Sequence, residues 1–196
     1  MPYLSQDALE ALGFAALGRN VKISDKASVY DADRICIGDN SRIDDFCVIS
    51  GKVDIGRNVH IAPYCLVAGG LLGICLEDFT GLAYRVSIFA QSDDYSGGTM
   101  TNPTVPHQYK SETKMPVRLG RHVIVGASAV ITPGVDVSDG CAIGAMSLVL
   151  QATEPWGIYA GVPATLRKPR KKDVLALEAK YLEQDKLDFD SPDKHK

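Results

Sequence analysis

Residues 37–66 read IGDNSR, IDDFCV, ISGKVD, IGRNVH, IAPYCL, five blocks of six that each open on isoleucine. The beat runs on to Val67, slips by three residues, and resumes at Leu76, Leu82 and Ile88. It returns at Leu119 and continues through Val125, Ile131, Val137, Ile143 and Val149, with a weaker copy at Ile23 and Val29. The fifth place of the blocks is compact: Ser41, Cys47, Val59, Cys65, Thr80, Val86, Ser92, Val123, Ala129, Val135, Cys141 and Ser147. A period of six matches neither the 3.6 of a helix nor the alternation of a long strand. It matches short strands joined by tight corners, with the first residue pointing inward and the fifth meeting its copies in the coils above and below. The chain is therefore expected to be an all-β parallel solenoid.

This pattern resembles the hexapeptide-repeat acyltransferases over roughly residues 20–170. The resemblance implies a left-handed parallel β-helix, three hexads to a triangular coil, and a homotrimer with active sites between subunits. The expected organisation is an N-terminal helical cap over 1–20, the β-helix over 21–168 with an excursion loop at 93–118, and a C-terminal helix and tail over 169–196. LSQDALEALG supplies the first helix, with Ser5 as N-cap, Asp7 in the first turn and Gly13 past the end. Val174, Leu177, Tyr181 and Leu182 recur at helical spacing within 171–186. The closing DFDSPDKHK is polar and is expected to fray.

Composition fits one soluble domain. The chain has 196 residues, 45% of them hydrophobic but only 7% aromatic, as stacked Ile, Leu and Val require. A net charge of −3 gives no general affinity for nucleic acid. No apolar run reaches membrane-span length and no basic-then-apolar leader opens the chain, so membrane insertion is not expected and the cytoplasm is the expected location. The five cysteines are an odd number, and Cys47, Cys65 and Cys141 fill compact fifth places, which argues against a disulfide framework or a zinc site. His60 and His122 read as ordinary corner residues. No pair of histidines has the spacing of the zinc-binding relatives of this fold, so no metal is expected.

The counting stops between Ile88 and Leu119, a span that does not divide by six. Within it lies QSDDYSGGTMTNPTVPHQY, rich in Gly, Thr, Asn and Pro. A loop of this length in a compact domain is usually functional or disordered, and titratable residues sit at its root. By resemblance it walls the active site. In the galactoside-type relatives a catalytic histidine is the sixth residue of the last hexad before the excursion. Counting from Ile88 places Asp93 there instead.

That departure bears on the acceptor. An alcohol must lose a proton to a base, for which histidine is well matched near neutral pH. An amine needs only to shed the proton of its ammonium form, and a carboxylate can hold the ammonium and accept it. Asp93 and Asp94 are the first candidates for catalysis and are expected to raise each other's pKa where they converge. A corner cap or an ion pair with a neighbouring Arg is the competing reading for both. His107, further along the loop, is the alternative base. Tyr95 and Arg85 are the expected substrate-binding residues. SDDYSG, TNPTVP and EPWGIYAGVPA are similar to the acetyltransferases of nucleotide-linked amino sugars, the dTDP-4-amino-4,6-dideoxyglucose group, which serve bacterial surface polysaccharides such as lipopolysaccharide and capsule.

The resemblance also names the donor as acetyl-CoA. Arg167, Lys168 and Arg170, in the basic run LRKPRKK, suit its phosphates, although a solvated basic turn has the same composition. Ala127 and Ala145 are implied as the small residues lining the pantetheine groove. The expected reaction is direct attack of the sugar amine on the thioester. A sugar O-acetyltransferase of galactoside or maltose type, using His107, is the alternative, and a non-catalytic β-helical scaffold is a third class.

Overall fold

The computed structural model describes residues 2–190, with side chains through 186. The repeats wind a three-sided parallel solenoid. One face stacks Ala16–Leu17, Ile35–Ile37, Val53–Ile55, Ile74–Leu76, Val117–Leu119 and Asp136–Val137. The second runs from Lys22–Ile23 through Arg42–Ile43, His60–Ile61, Gly81–Leu82, Ile124–Val125 and Ala142–Ile143 to Gly157–Ala160, and the antiparallel strand Thr165–Pro169 closes its edge. The third stacks Ser28–Val29, Val48–Ser50, Leu66–Ala68, Ser87–Phe89, Val130–Ile131 and Leu148–Val149.

The first residue of each hexad points inward as expected. Ile23, Ile43, Ile49, Ile61, Leu76, Leu82, Ile88, Leu119 and Ile131 all lie in the buried core. Register is kept from coil to coil, with Ile43 opposite Ile61 and Val67 opposite Ile88. The fifth residues tuck beneath the next coil, and those with a polar atom spend it on backbone. Ser41 Oγ donates to the Gly56 carbonyl at 2.7 Å and accepts from the Val59 N–H at 3.0 Å. Thr80 Oγ1 donates to the Gly120 carbonyl. Cys47 Sγ lies 3.1 Å from the Ala62 carbonyl. Ser92 is the exception, because the chain has left the coil by that point and Ser92 stands in the loop's outgoing limb.

The fourth place carries a regularity of its own. Asn40, Asn58, Phe79 and His122 turn the corner between the first and second faces in the left-handed region, and Phe46, Tyr64, Arg85, Ser128 and Met146 do so between the second and third. A non-glycine residue there costs about 1 kcal/mol or more, so each corner is strained in isolation and is held by the parallel ladder around it. The geometry throws the fourth side chain outward, once per coil, in two columns.

The slip after Val67 is a tight outward turn ending at Gly73, whose N–H bonds the Gly69 carbonyl. It needs Gly51 beneath it: φ there is +73°, and a Cβ would lie 2.4 Å from the Gly70 nitrogen. Helix α1, Gln6–Ala11, is capped by Ser5, whose hydroxyl accepts from the Ala8 N–H, and its Leu9 seals one end of the core. Helix α2, Val174–Asp190, lies along the first column. Its Tyr181 hydroxyl accepts from Asn58 Nδ2 at 2.9 Å, its Asp185 pairs with Arg57 at 2.6 Å, and its Glu178 meets His122 and Arg121. The polar end of the chain, 191–196, lies outside the described residues. No described helix is long and apolar enough to cross a membrane.

Candidate active site

The excursion leaves and rejoins the wall as a two-stranded antiparallel hairpin base. Gln91 pairs with Lys114 and Ser92 with Thr113. Beneath it the stack continues without a gap, since Ile74 pairs with Val117 and Ile88 with Ile131 across the insertion. Between hairpin and wall lies a cavity of about 540 Å3. Its floor is the third face and its corner, with Ser50, Ala68, Gly70 and Phe89. Its sides are Gln91, Ser92 and Asp93 on the outgoing limb, Pro103 on the loop and Glu112 on the return limb.

Asp93 and Asp94 are adjacent in sequence but serve different places. Asp93 lines the cavity, and its carboxylate has no hydrogen-bond or ion-pair partner among the described residues. Asp94 folds into the loop. Its Oδ1 accepts from the Ser96 N–H at 2.8 Å and its Oδ2 from the Thr99 hydroxyl at 3.1 Å. Those bonds, the one from Ser96 foremost, hold its carboxyl below the usual carboxylate range. This corrects the expectation that the two aspartates raise each other. Asp94 is a brace for the loop and is stabilised in its ionised form.

The return limb is fastened by charge. Lys110 Nζ donates to the Asn102 carbonyl at 3.0 Å and to Glu112 Oε1 at 3.1 Å, while Lys114 Nζ reaches Glu112 Oε2 at 2.9 Å. The two lysines, Lys114 first, hold the Glu112 carboxyl down at about 2. Sequence reasoning passed over Glu112. The signal was available in KSETK, where charge alternates at strand spacing.

The other predicted residues stand apart from this cavity. His107 sits in the exposed turn His107–Tyr109 and lines no part of it. Tyr95 is 92% exposed. Arg85 belongs to the second outward column, its guanidinium 5.7 Å from the Tyr64 ring centroid. Ala127 and Ala145 are neighbours on successive coils near that column, the Ala127 carbonyl accepting from the Met146 N–H. Arg167 and Lys168 are exposed on the closing strand, with Arg167 donating to the Ala160 carbonyl. Arg170 is occupied structurally: its Nη1 donates to the carbonyls of His122, Gly140 and Cys141 at 2.7, 3.0 and 3.1 Å. Cys36 and Cys75, on the outer side of the first face, have their thiols pushed up by burial, which disfavours the nucleophilic thiolate. No group of three or more metal-ligating side chains gathers among the described residues.

Known proteins share this fold. The family described as bacterial transferase hexapeptide (six repeats) matches residues 37–69. The dTDP-4-amino-4,6-dideoxy-D-glucose acyltransferase of Escherichia coli is 41% identical over 184 residues, 92% of this chain and 95% of that protein. A variant of AntD, an N-acyltransferase from Bacillus cereus solved with dTDP-4-amino-4,6-dideoxyglucose and coenzyme A, superposes with a TM-score of 0.92 at 45% identity, covering 93% of this chain and 98% of that one. AntD solved with dTDP and 3-hydroxybutyryl-CoA gives 0.91 at 44% identity, over 93% of this chain and 97% of that one. The galactoside O-acetyltransferase of Escherichia coli K12 is 35% identical over 65% of this chain and 60% of its own length. The chain belongs to the hexapeptide-repeat acyltransferases of left-handed β-helix fold, within the group of dTDP-4-amino-4,6-dideoxyglucose N-acyltransferases.

Proposed function

We propose that the protein transfers the acetyl group of acetyl-CoA to the 4-amino group of dTDP-4-amino-4,6-dideoxyglucose, and that Asp93 receives the amine's proton. The observation that carries this reading is the unpartnered Asp93 carboxylate facing the loop cavity, where no histidine lines the wall. The sugar binds as its ammonium form, which a carboxylate attracts and a neutral imidazole does not. Once the proton moves to Asp93, the amine nitrogen attacks the thioester carbonyl. A C–N bond forms, the nitrogen gives up its second proton to solvent, the C–S bond breaks and coenzyme A leaves as its thiolate, which takes up the proton from Asp93. Holding amine and thioester together supplies much of the rate.

The donor's phosphates are assigned to Arg167 and Lys168, and its pantetheine arm to the groove by Ala127 and Ala145. Arg170 reaches the same region but serves first as a backbone clamp. A homotrimer suits the second column, where Phe46 and Tyr64 stack in the open with ring centroids 5.1 Å apart and Arg85 lies over Tyr64. In such a trimer Arg85 and Tyr95 become available to substrate held between subunits. The product feeds lipopolysaccharide or capsule synthesis in the cytoplasm.

Thiol release separates this reading from its rival. Acetyl-CoA mixed with dTDP-4-amino-4,6-dideoxyglucose is expected to liberate coenzyme A, and acetyl-CoA mixed with galactosides or maltose is not. The reverse result makes the protein an O-acetyltransferase, the class of the galactoside relative. Running the amino sugar with 3-hydroxybutyryl-CoA, the donor bound by AntD, decides the acyl length.

A further inference from the structure

The hairpin that carries Asp93 brings a second carboxylate to the same cavity. Gln91 pairs with Lys114 and Ser92 with Thr113, so the next step of the register sets Asp93 across from Glu112. The ladder itself ends at Ser92 and Thr113, and Asp93 and Glu112, one residue beyond it on either limb, both line the cavity. Lys110 and Lys114 flank Glu112 two residues to either side and bond one to each of its oxygens. The side chains of Lys110 and Glu112 are only 3% and 9% exposed.

We infer that Glu112 is a positioning residue for the transfer: it locks the return limb near Asp93 and offsets half the charge of two lysines that would otherwise bear in full on that carboxylate. The inference rests on Asp93 being the proton acceptor. An acceptor beside two uncompensated cations holds its proton weakly and is a poor base. With Glu112 ionised between them, the two lysines fasten the loop while the cluster bears on Asp93 with one net positive charge instead of two. The remaining neighbours add little. The cavity floor is uncharged, Asp94 is turned into the loop by Ser96 and Thr99, and Asp31 at the same corner is bonded to the Gly51 N–H. His107 and Tyr95 are exposed and line no part of the cavity.

The test is the pH profile of kcat/KM for the amino sugar, measured on the full protein with two variants whose effects have opposite sign. Glu112→Gln leaves both lysines uncompensated and is expected to move the acid limb to lower pH by roughly half a unit to one unit. Lys114→Gln removes one cation and is expected to move it to higher pH by a similar amount. The amine's own ionisation is common to all three proteins and drops out of the comparison. KM for acetyl-CoA should stay put in both variants. A limb that does not move, or moves the same way in both, overturns the inference. If Glu112→Gln fails to fold, Lys114→Gln decides alone. Asp93→Asn keeps the two levels apart: if it retains full activity, the base assignment falls and this inference with it. If it is inactive while the limbs stay fixed, this inference alone is lost.

Discussion

His122 and Glu178 meet across 56 positions of sequence, Nε2 to Oε2 at 2.8 Å, and together they hold helix α2 against the solenoid. The His122 ring also stacks on Phe79, with centroids 5.1 Å apart and 12° between planes, and Tyr181 of α2 closes on the edge of Phe79. Both members of the pair are largely buried, with side chains 6% and 10% exposed.

Glu178→Gln is therefore expected to loosen the helix. Taking the charge from one member of a buried pair costs about 2 kcal/mol, which for a chain of this size lowers Tm by roughly 4–8 °C. Trypsin should then release the C-terminal segment faster than in the parent. An unchanged Tm together with an unchanged digestion rate means that the helix is held by Arg57 and Asn58 instead.

Along the loop three substitutions should separate. Asp93→Asn keeps the shape and removes the basicity, and should lower kcat/KM on the amino sugar by roughly 10²-fold, the scale of a lost general base, with Tm unchanged. Asp94→Asn weakens the bonds to Ser96 and Thr99 and should raise the sugar KM through a looser loop. His107→Ala should do little. If His107→Ala is the most damaging of the three, the acceptor is an alcohol.

Within the basic segment, Arg167 and Lys168 should part company with Arg170. Replacing the first two with Ala is expected to raise KM for acetyl-CoA and leave the sugar KM alone. Arg170→Ala removes a donor shared by three carbonyls, of which, among the described residues, only that of Cys141 keeps a backbone N–H, from Ile124, and is expected to lower Tm instead. Steady-state kinetics beside thermal melts read both. A KM effect confined to Arg170→Ala reverses the assignment.

The loop should also respond to acid. Glu112 titrates near 4.5 when the limb is free and at about 2 when it is clamped. A depressed carboxyl stabilises the folded form fully above the free value, and that contribution is lost as pH falls from about 4.5 towards 2. Cleavage within the loop by pepsin, normalised to an unstructured peptide, should rise over that window. In Glu112→Gln it should be high throughout and flat. A parent profile as flat as the variant's removes Glu112 from the clamp.

Much of the fold was legible because inward aliphatics such as Ile43, Ile61 and Ile131 repeat with a constant spacing and cannot be moved without burying a polar group. The fourth place was not. Asn58, Phe79, Arg85 and His122 share no side-chain chemistry, only a left-handed backbone that the parallel ladder imposes. Asp93 was found by counting hexads. Glu112 needed the return limb's register, which no count across an irregular loop supplies. Arg170 looked like its neighbours in the basic run, yet the antiparallel turn at Gly157–Ala160 and Thr165–Pro169 folds it back onto His122. Its role depends on contacts 48 residues away in sequence.

The wall of the solenoid closes beneath the excursion as though nothing had been inserted, Ile74 meeting Val117 and Ile88 meeting Ile131. The stack is thereby uncoupled from whatever the inserted segment does. Mutations between Asp93 and Glu112 are free to lengthen, shorten or rewrite the segment without disturbing a single rung of the stack. If the loop selects the acceptor as proposed, a lineage built this way can exchange acceptors by replacing one cassette, and sequence diversity should be concentrated in this interval and sparse in the hexads.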